Sequence, residues 1–172
     1  MADVCINCQK PKANLKCGIC GTSVCKKCAQ FVEEDHFMLM PQVPDELAKG
    51  RYCPPCFDEK ISPALSAYDA LIARAKQVII FHPEDAAETR LFQRENKPVT
   101  VENCADNSDV LMKLAYMAVE AGCNTLIDVQ VTSEKVDISG YQTSKWKGKG
   151  LPVKLDGFVP NRKRRIMGRG PG

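Results

Sequence analysis

The sequence lacks several features that would place it in a common class of protein. Its 172 residues contain no apolar run of about 18 residues, so no transmembrane helix is expected. The first residues, MADVCINCQKPK, lack the apolar segment of a secretory signal, and we expect a reducing, cytoplasmic location. Aromatic residues make up only 6% of the chain. Ten cysteines in such a compartment indicate metal binding rather than disulfides.

Signatures of catalysis are also absent. There is no P-loop, G-x-G-x-x-G, G-x-S-x-G or H-E-x-x-H motif. His82 ends the apolar stretch IIFH, and Cys104 precedes a predicted helix, whose N-terminus would lower the pKa of a nearby thiol. We expect His82 to be a surface residue at a turn and Cys104 to be a small, partly buried residue, because no nucleophile and base stand in a recognisable pattern. Asp106, Asp109 and Asp128 form no tight carboxylate motif. The sequence therefore predicts a protein that is not an enzyme.

The cysteines are concentrated at the N-terminus. Eight of the ten form four C-x2-C pairs within the first 56 residues: Cys5/Cys8, Cys17/Cys20, Cys25/Cys28 and Cys53/Cys56. A C-x2-C turn places two thiolates on one tetrahedral ion, so eight ligands predict two structural zinc ions. The alternative is a disulfide-stapled module, which the absence of a secretion signal disfavours. Cys104 and Cys123 stand apart and are not predicted to bind metal.

The spacing of the pairs favours an alternating ligand order. Only four residues separate Cys20 from Cys25, which suits a cross-brace in which pairs one and three share one ion. The first site is then Cys5, Cys8, Cys25 and Cys28, and the second is Cys17, Cys20, Cys53 and Cys56. A sequential pairing is the alternative. In either case the segment has little core, so zinc binding is expected to supply the folding energy. His36 is not needed as a ligand.

The order C-x2-C, x8, C-x2-C, x4, C-x2-C, x24, C-x2-C resembles that of FYVE and FYVE-like zinc fingers over residues 1–60. The stretch CGICGTSVCKKC has the glycine that the family places after the fourth cysteine. The stretch RYCPPCFDEK resembles the family's last pair, followed by an aromatic residue and the start of a helix. A RING finger is close in topology, but it usually carries a central histidine.

The chain departs from the FYVE pattern at the third cysteine. Phosphoinositide-binding members carry a basic R-(R/K)-H-H-C-R stretch there, whereas this sequence reads KANLKCGI. Gly18 follows Cys17, and Lys12 and Lys16 are the nearest cations. A phosphoinositide headgroup requires several convergent cationic donors. The resemblance therefore implies a protein-binding scaffold without specific phosphatidylinositol 3-phosphate binding.

After the finger, the pattern predicts a linker and an α+β domain. Ser62 and Pro63 begin a predicted linker helix at about 63–75, within the linker 61–76. KQVIIFH and PVTVENC are predicted strands, and PEDAAETRLFQREN between them is predicted to be helical. TLIDVQVTSEKV and YQTSKWKGKGLPVKL are predicted to form an antiparallel ribbon broken near Gly140. One helix-backed sheet over residues 77–158 is the expected result.

SDVLMKLAYMAVEAG is the strongest helical pattern in the chain. Ser108 is the expected N-terminal cap, and Gly122 is expected to end the helix with a positive φ. Asn124 is expected to hydrogen-bond the backbone of the turn that follows. The predicted buried face comprises Val110, Leu111, Leu114, Ala115, Ala118 and Val119.

The helix, Gly-x-Asn corner and strand in LAYMAVEAGCNTLIDVQV resemble the YbjQ-type family of putative heavy-metal-binding proteins. The final strand YQTSKWKGKGLPVKL resembles that family's aromatic-then-small pattern. The resemblance covers about residues 76–155. It implies a small α+β domain that forms rings, and hence a homo-oligomer through this domain.

Positive charge is concentrated at the C-terminus. Residues 141–172 carry nine basic side chains and a single acidic one, Asp156, and the chain ends in the basic tail 159–172. Such a tail can contact nucleic acid. The first hypothesis for function is a zinc-binding adaptor whose protein partner is unknown. The alternatives are a nucleic-acid-binding protein that uses the tail and a RING-like ubiquitin-ligase module.

Overall fold

The computed structural model describes residues 3–156, and the chain divides into two compact units between Asp69 and Ala70. The basic tail predicted at 159–172 lies outside the described residues. Helices and sheets both occur, as the α+β class requires. No helix within residues 3–156 is long and apolar enough to cross a membrane. The domain limits inferred from the sequence stay predictions: 1–60, 61–76, 77–158 and 159–172.

The first unit is built mainly from very short elements. In chain order these are β1 (Leu15–Lys16), β2 (Ser23–Val24), β3 (Gln30–Phe31), α1 (Asp45–Ala48), β4 (Arg51–Tyr52), α2 (Pro54–Cys56) and a π-helical turn (Phe57–Ile61). The 14-residue helix α3 (Ser62–Ala75) follows and crosses the boundary at Asp69. Strand β1 pairs antiparallel with β2, and β3 pairs antiparallel with β4. Because each strand has two residues, backbone pairing alone cannot hold this unit together.

The core of the first unit is small and rich in cysteine. Its buried members are Cys5, Ala13, Cys17, Val24, Ala29, Tyr52, Cys53 and Ile61. Three of these eight residues are cysteines of the C-x2-C pairs. A unit of this size buries too little apolar surface for stability without a metal ion or a cross-link. The packing therefore depends on what the cysteines bind.

The helix predicted at about 63–75 is present as α3. Tyr68 on this helix is buried, and its ring meets the ring of Phe37 edge-on at a centroid distance of 5.1 Å. The backbone N–H of Leu39 donates to the Tyr68 hydroxyl at 3.2 Å. These contacts tie the long loop between the third and fourth cysteine pairs to the helix.

The second unit is a four-stranded sheet backed by a helix, as predicted. It comprises β5 (Ile79–Ile80), a 3-10 turn (Pro83–Asp85), α4 (Ala86–Thr89), β6 (Val99–Cys104), α5 (Asn107–Glu120), β7 (Thr125–Ile138) and β8 (Tyr141–Val153). The strand order is β5-β7-β8-β6, in which β5 and β7 are parallel and the other pairs are antiparallel. The sheet thus places the long β7–β8 hairpin at its centre.

Helix α5 packs closely on one face of this sheet. A Cβ atom at Gly148 would lie 2.3 Å from Cγ1 of Val110 and 3.4 Å from Cδ1 of Leu114. Glycine at this position therefore allows the helix to approach the strand. Side chains alternate along β8, so Leu151 and Val153 project from the opposite face. There they pack with Ile79, Phe81, Phe92 and Ile127.

The N-terminal cap of α5 differs from the predicted one, whereas the C-terminal end has the predicted glycine. The sequence predicts Ser108 as the cap, but Asp106 caps the helix, and its Oδ1 accepts the N–H of Asp109 at 2.8 Å. Asp106 has the extended backbone that a cap needs, whereas Ser108 lies inside the first turn. At the other end Gly122 has φ +81°, as predicted, and the N–H of Cys123 donates to Ala118 at 2.8 Å.

The predicted buried face of α5 is correct except at two positions. Leu111 is half-buried, and Tyr116 is fully buried although the prediction omits it. Asn124 does hydrogen-bond the backbone, but its partner is Leu155 beyond β8 rather than the adjacent turn. Its side chain donates to the Leu155 carbonyl at 2.7 Å and accepts the Leu155 N–H at 2.9 Å.

The helix predicted for PEDAAETRLFQREN forms only as short turns. After the 3-10 turn, α4 ends at Thr89, and the N–H of Phe92 donates to the Thr89 carbonyl at 3.0 Å. Phe92 turns inward to meet Phe81 edge-on at 5.6 Å, whereas Leu91 is 84% exposed. A longer helix requires apolar residues on one continuous face, and this segment does not provide them.

The predicted ribbon is the β7–β8 hairpin. Its two-residue turn consists of Ser139 and Gly140, both with positive φ. This geometry matches the right-handed twist of the paired strands. A bulge interrupts the pairing between Ile127 and Gln130, where Asp128 also has a positive φ.

Candidate metal centre

The eight paired cysteines gather into two groups of four. Cys5, Cys8, Cys25 and Cys28 form the first cluster, and Cys17, Cys20, Cys53 and Cys56 form the second. Within each cluster the sulfur atoms all lie within 4.8 Å of one another. Pairs one and three are thus together, as are pairs two and four. This is the alternating order of a cross-brace and not the sequential alternative.

The spacing of the sulfur atoms suits a tetrahedral ion. The Sγ atoms of Cys8 and Cys25 lie 3.7 Å apart, as do those of Cys20 and Cys53. Four sulfurs at about 2.3 Å from a central zinc would lie about 3.8 Å from one another. A disulfide requires about 2.05 Å. The donor sets can therefore hold two metal ions, and the observed distances are far too long for disulfides.

All four C-x2-C turns close with the same backbone hydrogen bond. The residue after the second cysteine donates its N–H to the carbonyl of the first cysteine. The N···O distances are 2.9 Å from Gln9, 3.0 Å from Gly21, 2.9 Å from Ala29 and 2.9 Å from Phe57. Gln9 and Gly21 reach this geometry with positive φ angles of 54° and 70°. The shared turn directs both thiols of each pair to one side.

Neighbouring strands and loops position the first cluster. The N–H of Cys5 donates to Lys10 at 3.1 Å, and the N–H of Ile6 donates to Ser23 at 3.0 Å. The N–H of Cys25 then points at Cys5 Sγ at 3.3 Å. An N–H donor stabilises the thiolate form of a cysteine. Cys5 is fully buried, so this donor substitutes for water.

The second cluster is assembled from strand ends. The N–H of Cys17 donates to Thr22 at 2.9 Å, and the N–H of Gly18 donates to Arg51 at 2.9 Å. The latter bond joins the second C-x2-C turn to β4, which leads directly into Cys53. The Thr22 hydroxyl lies 2.8 Å from Cys20 Sγ and can donate to its thiolate. Sequence reasoning missed Thr22, although a hydroxyl two residues after a ligand is a signal for such a contact.

In each cluster one buried cysteine favours the thiolate form, whereas burial raises the pKa of Cys53 in the second. The backbone N–H groups of Cys8 and Cys25 lower the pKa of Cys5 to about 6. At Cys17 burial raises the pKa, but N–H groups from Cys20 and Cys53 outweigh it and lower the pKa to about 6. A thiolate is the form of cysteine that binds a metal ion. The backbone thus prepares one strong donor in each cluster.

The two remaining cysteines lie outside both clusters. Cys104 and Cys123 are buried in the second unit, and burial raises the pKa of both thiols. The lowered pKa that a following helix could give Cys104 does not occur, and Cys104 is instead a small buried residue, as favoured from the sequence. Cys104 sits in β6 with its Sγ 3.7 Å from the Glu102 carbonyl, where desolvation dominates.

Neither histidine belongs to a sulfur cluster. The ring of His36 lies 5.1 Å from the ring of Phe37 and 5.8 Å from that of Tyr68. His82 is half-buried, its backbone N–H donates to Oδ2 of Asp85 at 2.9 Å, and its ring Nδ1 lies 3.1 Å from the Val129 carbonyl oxygen. The His36 ring thus contacts two aromatic rings, and the His82 ring lies within hydrogen-bond distance of a backbone carbonyl.

The candidate carboxylates do not converge either. Asp106 caps α5, Asp109 pairs with Lys113 at 3.0 Å, and Asp128 pairs with Arg94. Among the described residues, the only groups arranged to hold a metal ion are the two cysteine clusters.

The departure from the basic FYVE stretch has a steric counterpart. A Cβ atom at Gly18 would lie 2.3 Å from Cβ of Lys49, so no arginine fits there without moving the loop.

Comparison with protein-family models, with curated proteins and with solved structures found no match. The resemblances to FYVE-like fingers and to the YbjQ-type family therefore stay predictions.

Proposed function

We propose that the protein is a zinc-binding adaptor, in which two structural zinc ions hold an N-terminal finger that presents a surface to a protein partner. The observation that supports it best is the grouping of eight sulfurs into two sets of four at tetrahedral spacing. Sets of four cysteines are typical of structural zinc sites. Zinc as the bound ion and partner binding as the role of the finger are the parts that we propose beyond this observation.

The ligand sets favour a structural role for zinc over a catalytic one. A catalytic zinc keeps one position open for water or substrate, whereas a site of four cysteines fills all four positions with protein ligands. Our proposal therefore assigns no reaction to either cluster. Zinc binding would instead supply folding energy on the order of 10 kcal/mol. That amount is comparable to the whole stability of an ordinary domain, about 5–15 kcal/mol.

The FYVE-like identity of the finger is part of the proposal. The alternating ligand order and the glycine after Cys20 support it. The steric limit at Gly18 and the absence of a histidine pair argue against phosphoinositide binding. Vesicles containing phosphatidylinositol 3-phosphate should bind no better than vesicles with the same total charge made from phosphatidylserine.

Exposed apolar side chains on the first C-x2-C turn support a protein-binding role. Val4 is 55% exposed and Ile6 is 49% exposed, and they flank the fully buried Cys5. Metal binding would fix the backbone on which both side chains stand. A rigid apolar pair costs less conformational entropy on association than a flexible one.

The test compares partner capture by matched variants. Val4→Ser combined with Ile6→Ser should leave two zinc ions per chain but abolish enrichment of the partner captured by the unaltered protein. Leu91→Ser is the control, because Leu91 is 84% exposed in the second unit. If the Val4 and Ile6 substitutions leave capture unchanged at equal zinc content, this surface is not the one that binds protein.

The composition of the C-terminal segment favours a second candidate function. Nine basic side chains against one acidic side chain in residues 141–172 are suited to a polyanion. If nucleic acid is the partner, affinity for mixed RNA and DNA should fall steeply with salt, and deletion of residues 161–172 should remove it. Affinity that is independent of salt or of the tail would exclude this function.

A further inference from the structure

The β7–β8 hairpin extends well beyond the rest of its sheet. Strand β6 last pairs with β8 at Cys104 and Trp146, and β5 pairs with β7 only as far as Leu126. Beyond these points residues 134–138 pair with residues 141–145 as a ribbon, which we call the arm. Among residues 3–156 no third strand pairs with the arm. Such a two-stranded ribbon is marginally stable by itself in water.

The backbone of the outer edge of β7 is regular, so only the charged side chains of Glu134, Lys135 and Asp137 oppose pairing with another strand. Between the bulge at Gln130 and the turn, the strand has no proline and no further bulge. It is rich in β-branched residues, namely Val131, Thr132, Val136 and Ile138. Natural edge strands usually avoid such a regular, pairing-competent backbone. The edge can therefore accept another strand.

The pairing register shows which backbone groups face outward. Ile138 and Tyr141 flank the two-residue turn, so they exchange hydrogen bonds with each other, and the alternate positions do not. Lys135 and Asp137 occupy these alternate positions opposite Ser144 and Gln142. Their N–H and C=O groups consequently point away from β8, toward the open edge.

The tip of the arm is apolar and exposed. Ile138 is 51% exposed and Tyr141 is 80% exposed, and they lie opposite each other on one face with Val136 two residues away. Large apolar side chains clustered on an uncovered strand pair indicate a contact surface.

The charges along β7 select the partner. Antiparallel pairing of two copies about Val136 places Lys135 of each chain directly opposite Asp137 of the other. Pairing about Lys135 would instead bring two lysines together, and pairing about Glu134 would bring two glutamates together. We propose that the β7 edge is a homodimer interface in which a second copy of this chain pairs antiparallel about Val136. The two arms then form one continuous sheet across the two-fold axis.

This register matches both the backbone and the side chains. Lys135 and Asp137 are the residues whose backbone groups face outward, so the pairs that attract by charge are also the pairs that exchange hydrogen bonds. Val136 packs against its own copy on the axis, and Ile138 is its diagonal neighbour across the interface. The interface is isologous, which is the commonest form of protein self-association.

Charge reversal provides the test, with molar mass measured by light scattering during size-exclusion chromatography. The unaltered full chain should elute as a dimer. Lys135→Asp and Asp137→Lys should each elute as a monomer, because each places like charges opposite one another twice. An equimolar mixture of the two variants should recover the dimer mass, because each then offers the charges that the other lacks. Lys97→Asp, at an exposed position before β6 and outside the arm, is the matched control and should remain dimeric.

Several outcomes would overturn the proposal. An unaltered chain that stays monomeric at the highest concentration reached would exclude the dimer. Single variants that keep the dimer mass would place self-association elsewhere, as would a larger closed assembly. Failure of the mixture to recover the dimer would exclude the register about Val136. Circular dichroism and zinc content should be unchanged in all variants, which separates loss of pairing from loss of folding.

Discussion

The Sγ atoms of Cys20 and Cys53 lie 3.7 Å apart although the two residues are separated by 33 positions in the sequence. The long loop between them must therefore return to the second C-x2-C turn. The backbone bond from Gly18 to Arg51 and the β3–β4 pair bring the chain back to that point. The second cluster thus closes the largest loop of the first unit.

Loss of one ligand in the second cluster should cost one zinc ion. Cys17→Ser removes a buried thiolate donor, so the chain should retain one ion, at the first cluster. The loop from 29 to 52 should loosen because Cys53 loses its anchor. Native mass spectrometry would show the zinc count, and hydrogen exchange of residues 29–52 would show faster exchange.

Cys123→Ser is the control for this ligand assignment. Cys123 is buried in the second unit, and its Sγ lies 3.5 Å from Nδ2 of Asn96. The variant should keep two zinc ions per chain. If it loses one, the assignment of ligands is wrong.

Zinc retention should fall as the pH is lowered. The backbone N–H groups that lower the pKa of Cys5 to about 6, from an ordinary value of 9.0, favour its thiolate in the folded state. A lowered pKa contributes stability that is present above the ordinary value and is lost as the pH falls toward the folded-state value. Protons also compete directly with the metal ion for every thiolate.

The measurement for this prediction is zinc release to a fluorescent chelator at a series of pH values from about 9 to about 5. Release should increase continuously toward acid, together with a fall in the melting temperature of the first unit. Release that does not change with pH would contradict binding by thiolates.

Gly148→Ala should destabilise the second unit. Its methyl group would meet Cγ1 of Val110 at 2.3 Å, which is possible only if α5 moves away from β8. Overpacking of this kind costs about 1–3 kcal/mol. Chemical denaturation would show the loss, and Lys149→Ala at the adjacent exposed position should change stability by less than about 0.5 kcal/mol. Equal effects would contradict the close approach of the helix.

Tyr52→Phe should weaken the first unit without changing its zinc content. The Tyr52 side chain is fully buried, and its hydroxyl lies 2.8 Å from the carbonyl oxygens of Glu46 and Leu47. It also accepts the N–H of Gly50 at 3.2 Å. Loss of these bonds should lower the free energy of unfolding by about 1–2 kcal/mol. A variant that also loses a zinc ion would contradict our view that the Tyr52 hydrogen bonds and metal binding stabilise the first unit independently.

The eight metal-binding cysteines could be identified from the sequence because the C-x2-C signal is local. Each C-x2-C turn directs two thiols to one side, so each pair acts as one unit of a site. The choice between alternating and sequential order was not local, because it depends on contacts between distant segments such as that of Gly18 with Arg51. The contribution of Thr22 could not be read in the same way. Its hydroxyl reaches Cys20 only because the turn bends there, and a threonine in a loop has many other partners.

The fold was predictable where one element provides its own signal. Helix α5, the β7–β8 hairpin and the turn at Gly140 have strong local patterns. The cap at Asp106 was missed because Ser108 is an equally good cap by residue type, and only the backbone conformation decides between them. The parallel pairing of β5 with β7 and the inward turn of Phe92 arise from contacts between distant segments, which local periodicity does not encode.

The most direct test of the two-zinc finger is native mass spectrometry of the purified full chain. Our account predicts two zinc ions on each chain, with all ten cysteines free to react with an alkylating agent after denaturation and chelation. A protein without zinc whose mass is lowered by pairs of hydrogens would contain disulfides. That result would contradict both the metal sites and the adaptor function proposed from them.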